Sequence, residues 1–212
     1  MIEVSKVAVK WSQGLPSGLT WYFIGQPKTG KTTASSTWST KGSKGVLILD
    51  TDQGTDFVDG ANRVIITSLN PPMREIKDED GKIVTKDGNP QVEVIPPLER
   101  GYKQRSGKAK GEPMPVYSFA EVLTWLTNDW EILPYDTVVI DTVDSLNGWI
   151  EGLVCKELNT QAMGDAEWGA DWGRAKKRLV GIVDKLQNLV KKHNGSLILI
   201  SHSKQTQVVD KK

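Results

Sequence analysis

The chain has 212 residues, of which 38% are apolar, and this is enough for one sizeable α/β domain with its own core. Lys and Arg total 27 against 26 Asp and Glu, so the overall charge gives no argument for a polyanionic partner, and any such argument must rest on local patches. Cys155 is the only cysteine, which excludes a disulfide within the chain and a zinc site built from cysteines. The start of the chain lacks a signal-peptide pattern, and no apolar run approaches the roughly 20 residues that span a bilayer, so we expect a cytoplasmic protein without membrane contact.

Strand and helix patterns alternate along the first part of the chain. Residues 4–9 alternate between apolar and polar as a short edge strand does, and residues 19–25 form the apolar run LTWYFIG, typical of a strand buried on both faces. The segment TTASSTWSTKG after Lys31 contains no proline and predicts a helix that ends at Gly42. Two more buried strands are predicted, at 45–52 and at 62–68.

Residues 70–115 are polar and rich in proline and glycine. We interpret them as an insertion and not as a separate domain, because they contain too few apolar residues to bury a core. The pattern KIVTKDGNPQVEV at 82–94 predicts a hairpin, followed by a mobile basic stretch.

Regular patterns return after the insertion. Ser118 is predicted to be the N-cap of a helix with Glu121 as its capping-box partner, and Gly195 is predicted to end the last helix. The alternation of buried strands with helices predicts a single domain over 1–212, an α/β fold with a mainly parallel sheet flanked by helices. The remaining predicted elements are strands at 137–142 and 196–203 and helices at 118–130, 145–159 and 170–195.

The segment GQPKTGKTT fits the pattern G-x-x-x-x-G-K-[ST] of a phosphate-binding loop. A predicted strand precedes it and a predicted helix follows, so backbone N–H groups can converge on a phosphate at a helix N-terminus. Lys31 is predicted to bridge the β- and γ-phosphates of ATP, and the Thr32 hydroxyl to bind Mg²⁺. The residues predicted to bind the nucleotide are Gly25, Gln26, Pro27, Lys28, Thr29, Gly30, Lys31, Thr32 and Thr33.

Carboxylates follow two of the predicted strands. Asp141 ends TVVIDT and is predicted to orient magnesium-bound water or Thr32, although alone it would only mark the end of a strand. Asp50, Asp52 and Asp144 compete as the group that activates water. We expect the strand before Asp52 to lie beside the strand before the loop, which would place Asp52 beside the γ-phosphate. A turn former in DTDQG is the other interpretation of Asp52. Asp144 could instead cap the following helix.

The last predicted strand ends at His202 and Ser203. Ligands bind at the carboxyl ends of strands in open α/β sheets, so a donor here could sense the γ-phosphate. A structural role for this histidine is equally open.

With these residues in place, the chain resembles RecA-like P-loop ATPases, and most closely the phage-encoded Sak-type ATPases that act beside annealing proteins in recombination. The matching segments are GQPKTGKTT, VLILDTDQG, TVVIDTVDSL and LILISHSKQ. The resemblance implies that Asp52 is the catalytic acid, with Asp in place of the usual Glu, and that His202 is the phosphate sensor. Lys31 completes the implied catalytic set. The segment GDAEWGADWGRAKKRL also resembles the phage group, without a role that we can assign.

The resemblance implies ATP hydrolysis stimulated by single-stranded DNA, with an annealing or single-strand-binding protein as a further partner and a homo-oligomer as the assembly. A neighbouring subunit would complete the site with Arg174, Lys176 or Lys177. A ring-forming RecA-type helicase motor and a nucleotide-gated scaffold with little turnover are the alternatives. The stretch ERGYKQRSGKAKG combines positive charge with an aromatic, as single-strand grooves do, but a solvated loop has the same composition. Its candidate contacts are Arg100, Tyr102, Lys103, Arg105, Lys108 and Lys110.

Overall fold

The computed structural model describes residues 18–58, 60–105 and 110–203. The predicted strand at 4–9 lies outside these residues. The described residues contain the α-helices α1 (Lys31–Ser35), α2 (Phe119–Asp129), α3 (Val143–Leu158) and α4 (Ala170–Lys192). The strands are β1 (Thr20–Gly25), β2 (Val46–Asp50), β3 (Asn62–Ser68), β4 (Met73–Glu75), β5 (Thr85–Lys86), β6 (Asn89–Pro90), β7 (Val92–Val94), β8 (Tyr117–Ser118), β9 (Thr137–Asp141) and β10 (Ser196–His202).

A central sheet of six strands has the order β1-β10-β9-β2-β3-β8, and all neighbouring strands are parallel. This confirms the predicted α/β fold with a parallel sheet. Every residue of β2 and β9 is buried, because apolar layers cover both faces of the sheet. One layer contains the buried faces of α2, α3 and α4, and the other contains the rings of Trp21, Phe23 and Trp38.

Two predicted helix ends are confirmed by their hydrogen bonds. The Ser118 hydroxyl accepts from the Glu121 N–H at 3.3 Å, and the Ser118 N–H donates to the Glu121 carboxylate at 2.7 Å, so the capping box is complete. After α4, the Gly195 N–H donates to the Val190 carbonyl at 2.7 Å. A Cβ at Gly195 would lie 2.7 Å from the Asp136 carbonyl oxygen, so only glycine fits this turn into β10.

The predicted helix from Lys31 to Gly42 is wrong in its extent, because α1 ends at Ser35. The side chains of Ser35, Ser36 and Thr37 each donate to the carbonyl three residues earlier, at 2.9, 2.8 and 3.3 Å. Such bonds compete with the helical hydrogen bonds, and Ser and Thr are poor helix formers. A turn therefore replaces the second half of the expected helix.

The expected neighbour of the β1 strand is also wrong. The strand that follows α1, β2, pairs with β9 and β3, while β10 lies between β1 and β9. The local apolar pattern identifies a buried strand but says nothing about which strand lies beside it. Asp52 therefore does not follow a strand adjacent to β1.

The insertion at 70–115 forms two small antiparallel sheets. The hairpin expected at 82–94 is present in its central part, where β5 pairs with β6 across Asp87 and Gly88, both with positive φ. The end of the expected hairpin differs, because β7 pairs with β4. Within the residues that the structure describes, no helix has both the length and the apolar character needed to cross a membrane.

Candidate nucleotide site

Several predicted site residues lie at one edge of the sheet, where the parallel strands end. The last residue of β1, Gly25, is in register with His202 at the end of β10. Asp141, at the end of β9, is in register with Asp50 at the end of β2. Parallel pairing brings these strand ends together, although the residues are far apart in the sequence.

The loop after β1 has the shape of a phosphate cradle. Lys28 and Gly30 have φ values of 64° and 81°, which turn successive N–H groups in one direction. Within this fully described loop, the N–H groups of residues 28–33 donate to no other backbone group. The Lys31 ammonium donates to the carbonyls of Gly25 and Gln26 at 2.9 and 2.8 Å. The loop thus offers free N–H donors and a poised cation, which fits a phosphate group.

A hydrogen bond joins this loop to the end of β9. The Thr32 hydroxyl donates to Asp141 Oδ2 at 2.6 Å, between residues 109 positions apart. The Asp141 side chain is buried, and burial raises its pKa to about 6. The bond from Thr32 opposes this rise, whereas the nearby carboxylates of Asp50 and Asp52 add to it. This buried acid beside a hydroxyl is suited to holding the shell of a cation, because a cation favours its ionised form.

Among the described residues, no group of three or more His, Cys, Asp or Glu side chains could hold a metal ion on its own. A magnesium ion here would take the Thr32 hydroxyl and phosphate oxygens as ligands, with Asp141 beyond them. The side chains present therefore fit a magnesium ion that binds together with a nucleotide, since the phosphates would supply the remaining ligands.

The two carboxylates after β2 have different surroundings. Asp50 is fully buried and accepts from the Thr55 hydroxyl, from the Thr55 N–H at 3.3 Å and from the Gly54 N–H at 3.2 Å. Burial is the main cause that raises the pKa of Asp50. Asp52 is exposed, and its carboxylate accepts the Gly54 N–H at 2.9 Å. Asp50 thus holds the loop, whereas the Asp52 carboxylate remains accessible at the same edge.

Asp144 does not cap α3, because the helix begins at Val143 and its N-cap residue is Thr142. Its carboxylate instead accepts two hydrogen bonds from the end of β10. The Ser201 hydroxyl donates to Oδ1 at 2.9 Å, and the His202 N–H donates to Oδ2 at 2.7 Å. No sequence pattern indicates this contact, because it joins residues 57 and 58 positions apart.

The basic stretch differs from its prediction in two residues. The Arg100 side chain is 3% exposed and donates to both oxygens of Glu121 at 2.7 and 2.8 Å. Tyr102 is 8% exposed, and its hydroxyl donates to Asp56 at 3.3 Å. A buried ring cannot stack on a base, and a paired guanidinium cannot hold a phosphate, so both residues serve the fold. Lys103, Arg105 and Lys110 are exposed, and Lys108 lies outside the described residues.

The insertion reaches the loop that carries Asp52. The Arg105 guanidinium donates to the side-chain oxygen of Gln53, and the Arg105 N–H donates to Asp56 at 3.1 Å. Asp56 also forms an ion pair with Arg63 at 2.6 Å. Sequence reasoning missed this contact, because no local pattern indicates it.

The start of α4 is open to solvent. Trp168 is 101% exposed with a positive φ of 56°, and Trp172 is 53% exposed. The cations proposed for a neighbouring site, Arg174, Lys176 and Lys177, are exposed on the first two turns of the helix. Their position allows contact with another molecule but does not select one of them.

Comparison with known families adds one finding. A family model described as an AAA domain matches residues 17–212, which include the cradle, the strand ends and the insertion. No curated protein matches the chain significantly.

Proposed function

Since the chain belongs to the AAA domain family, whose members are P-loop ATPase-type domains, we propose that it binds ATP with Mg²⁺ and hydrolyses the bond between the β- and γ-phosphates. The observation that carries this proposal is the hydrogen bond from Thr32 to Asp141, which joins the phosphate loop to a buried acid. A bound Mg²⁺ would neutralise charge on the phosphate oxygens. The protein groups would bind the nucleotide, orient the reacting groups and exclude bulk water, as phosphoryl transfer requires.

Each residue at the edge has a role in this proposal. Lys31 leaves its two loop carbonyls and pairs with the β- and γ-phosphates. Thr32 offers its hydroxyl to the cation, and Asp141 orients the shell around it. Asp52, the exposed carboxylate, orients the attacking water. Its negative charge contributes to the raised pKa of Asp141, which supports the closeness of the two carboxylates. His202 contacts the γ-phosphate from the end of β10.

We further propose that single-stranded DNA stimulates turnover and that the protein acts in phage-type recombination beside an annealing or single-strand-binding protein. The resemblance of four motifs to the Sak-type ATPases supports this role. The exposed cations Lys103, Arg105 and Lys110 support contact with phosphates, and Arg105 touches the loop that carries Asp52. A homo-oligomer would bring the exposed cations of α4 to a neighbouring site.

The decisive experiment measures ATP binding and turnover with and without Mg²⁺ and single-stranded DNA. Asp52→Asn should bind ATP as well as the wild type, because an acid facing a polyanion adds no attraction, and should lower kcat on the order of a hundredfold. Asp52→Glu should keep activity. Asp78→Asn is the control, since Asp78 also accepts local backbone N–H groups, at 3.0 and 2.8 Å, but lies in the insertion.

Full turnover by Asp52→Asn would remove Asp52 from the mechanism. Tight ATP binding by the wild type without any turnover would favour a nucleotide-gated scaffold over an ATPase. Turnover that does not respond to DNA would refute the proposed stimulation while leaving the ATPase in place.

A further inference from the structure

We propose that Asp144 is a positioning residue, which fixes the end of β10 so that His202 can report the γ-phosphate. The proposal rests on the function proposed above. It assigns a role to a carboxylate that the sequence offered only as an alternative acid or as a helix cap. Asp144 acts through the strand end and does not touch the nucleotide.

The first support is the pair of hydrogen bonds that the Asp144 carboxylate accepts. One oxygen takes the Ser201 hydroxyl at 2.9 Å, and the other takes the His202 backbone N–H at 2.7 Å. Bonds from both oxygens to adjacent residues fix the direction in which the chain leaves the strand. Hydrogen bonds to an ionised carboxylate are also stronger than those between neutral groups.

The second support is the hydrogen bond between the end of β10 and the end of β1, where the phosphate loop begins. The Ser203 N–H donates to the Gly25 carbonyl at 3.1 Å, and the Lys31 ammonium donates to the same carbonyl at 2.9 Å. When Lys31 turns towards a phosphate, Ser203 remains as a donor to Gly25. The end of β10 is therefore tied to the phosphate loop on one side and to α3 on the other.

The third support is the place of Asp144 in the chain. It follows Asp141 by three residues, on the first turn of α3. One short segment thus carries both the acid that faces the cation and the acid that holds the sensing strand. A change at the phosphates reaches both through bonds that the structure contains, and this is a physical link between the two strand ends.

The experiment compares the affinities for ATP and for ADP, because a phosphate sensor acts on their ratio. Asp144→Ala should lower the preference for ATP over ADP on the order of tenfold and should leave ADP binding unchanged. Asp144→Asn, which keeps one acceptor oxygen, should have a smaller effect, as should Ser201→Ala. Asp78→Asn, an exposed aspartate that also accepts two backbone N–H groups, is the matched control and should match the wild type.

A double-mutant cycle with His202→Ala tests whether Asp144 acts through His202. If it does, Asp144→Ala adds no further loss of ATP preference in the His202→Ala background. Additive losses, or a wild-type ratio in Asp144→Ala with normal ADP binding, would overturn the proposal. A wild-type ratio with lost turnover would instead make Asp144 the catalytic acid, which also overturns it.

If the proposed nucleotide binding is wrong, the wild-type protein will not bind ATP at all. This result is distinct from a wrong role for Asp144, which appears only in the variants. If Asp144→Ala does not fold, which its circular dichroism would show, Ser201→Ala and Asp144→Asn carry the test. They each leave one of the two hydrogen bonds in place. Unchanged ratios in both of these variants would then refute the proposal.

Discussion

Two carboxylates in this molecule have pKa values shifted in opposite directions. Burial raises the pKa of Asp141, at the nucleotide edge, to about 6. Hydrogen bonds from Arg100 lower the pKa of Glu121, which ties the insertion to α2, to about 2. The surroundings of Asp141 destabilise its ionised form, whereas the surroundings of Glu121 stabilise its ionised form. A carboxylate whose pKa is raised by burial is typical of ligand sites, whereas one whose pKa is lowered by a guanidinium is typical of structural ion pairs.

Burial dominates the pKa of Asp141, whereas a charged partner dominates the pKa of Glu121. Asp141 lies near two other carboxylates, with the Thr32 hydroxyl and His202 as the opposing influences. Arg100 donates not only to Glu121 but also to the carbonyls of Ile95 and Val116, at 2.8 and 3.0 Å. At this contact, the guanidinium of the insertion and the carboxylate of α2 neutralise each other. At the edge, a cation and a phosphate would complete the arrangement.

The largest effect is expected for Lys31→Ala. Its ammonium bonds only to the carbonyls of its own loop, so the variant should fold normally while ATP affinity falls on the order of a hundredfold or more. Calorimetric titration with ATP and a thermal melt without nucleotide measure the two quantities. Unchanged affinity would show that the loop is an ordinary basic turn.

Asp141→Asn should lower turnover but stabilise the protein without nucleotide. In the wild type, a pKa raised from 3.8 to about 6 means that stability is lost as pH rises through this range. The variant, which has no charge to bury, should therefore be more stable by about 2–3 kcal/mol at pH 8 and equal to the wild type at pH 3. Denaturant unfolding across this pH range gives the values. Parallel pH profiles for the two proteins would contradict the assignment of the burial penalty.

Glu121→Gln should change the stability at neutral pH in the opposite direction, so that the variant is less stable than the wild type. A lowered pKa means that the wild-type contribution is present above pH 4.5 and is lost as pH falls towards 2. The side chain is 27% exposed, so solvent screening reduces the expected loss at pH 7 to about 1–2 kcal/mol. A gain in stability at pH 7 would remove the contrast between the two regions.

The smallest effect is expected for Arg74→Ala. Arg74 bonds to Glu93 at 2.7 Å and to Glu99 at 2.5 Å, but all three side chains are close to half exposed. Exposed ion pairs contribute little because water and salt screen them. The unfolding midpoint should stay at the wild-type value, and a clear fall would show that the insertion depends on its surface charges as well.

The sequence predicted what depends on local pattern. The apolar runs located the buried strands, with β3 at its predicted bounds, and the pair Ser118 and Glu121 located the start of α2. Strand order was not predictable, because any buried parallel strand has the same composition, and so the neighbour of β1 was wrong. The burial of Arg100 and Tyr102 was missed for a related reason. Their partners are set by the path of the whole insertion and not by neighbouring residues.

The roles proposed for Lys31, Asp52, Asp141 and His202 stay predictions, although the fold brings their strand ends to one edge. Motif spacing was enough to name these residues. Motif spacing could not show that the Asp144 carboxylate accepts hydrogen bonds from Ser201 and His202, because that contact forms only when β9 and β10 pair.

The ring cluster below the phosphate loop gives the molecule an optical property. Trp38 lies in the turn after α1, and its ring meets those of Trp21 and Phe23 edge-on, each with centroids 5.4 Å apart. Tryptophan emission depends on such contacts, so any shift of α1 in response to a ligand would change the fluorescence of Trp38. Trp168 is fully exposed, so we expect it to emit at a longer wavelength than the packed Trp38. Comparing the spectra of the wild type and Trp38→Phe during an ATP titration therefore isolates the signal of the loop, without any label.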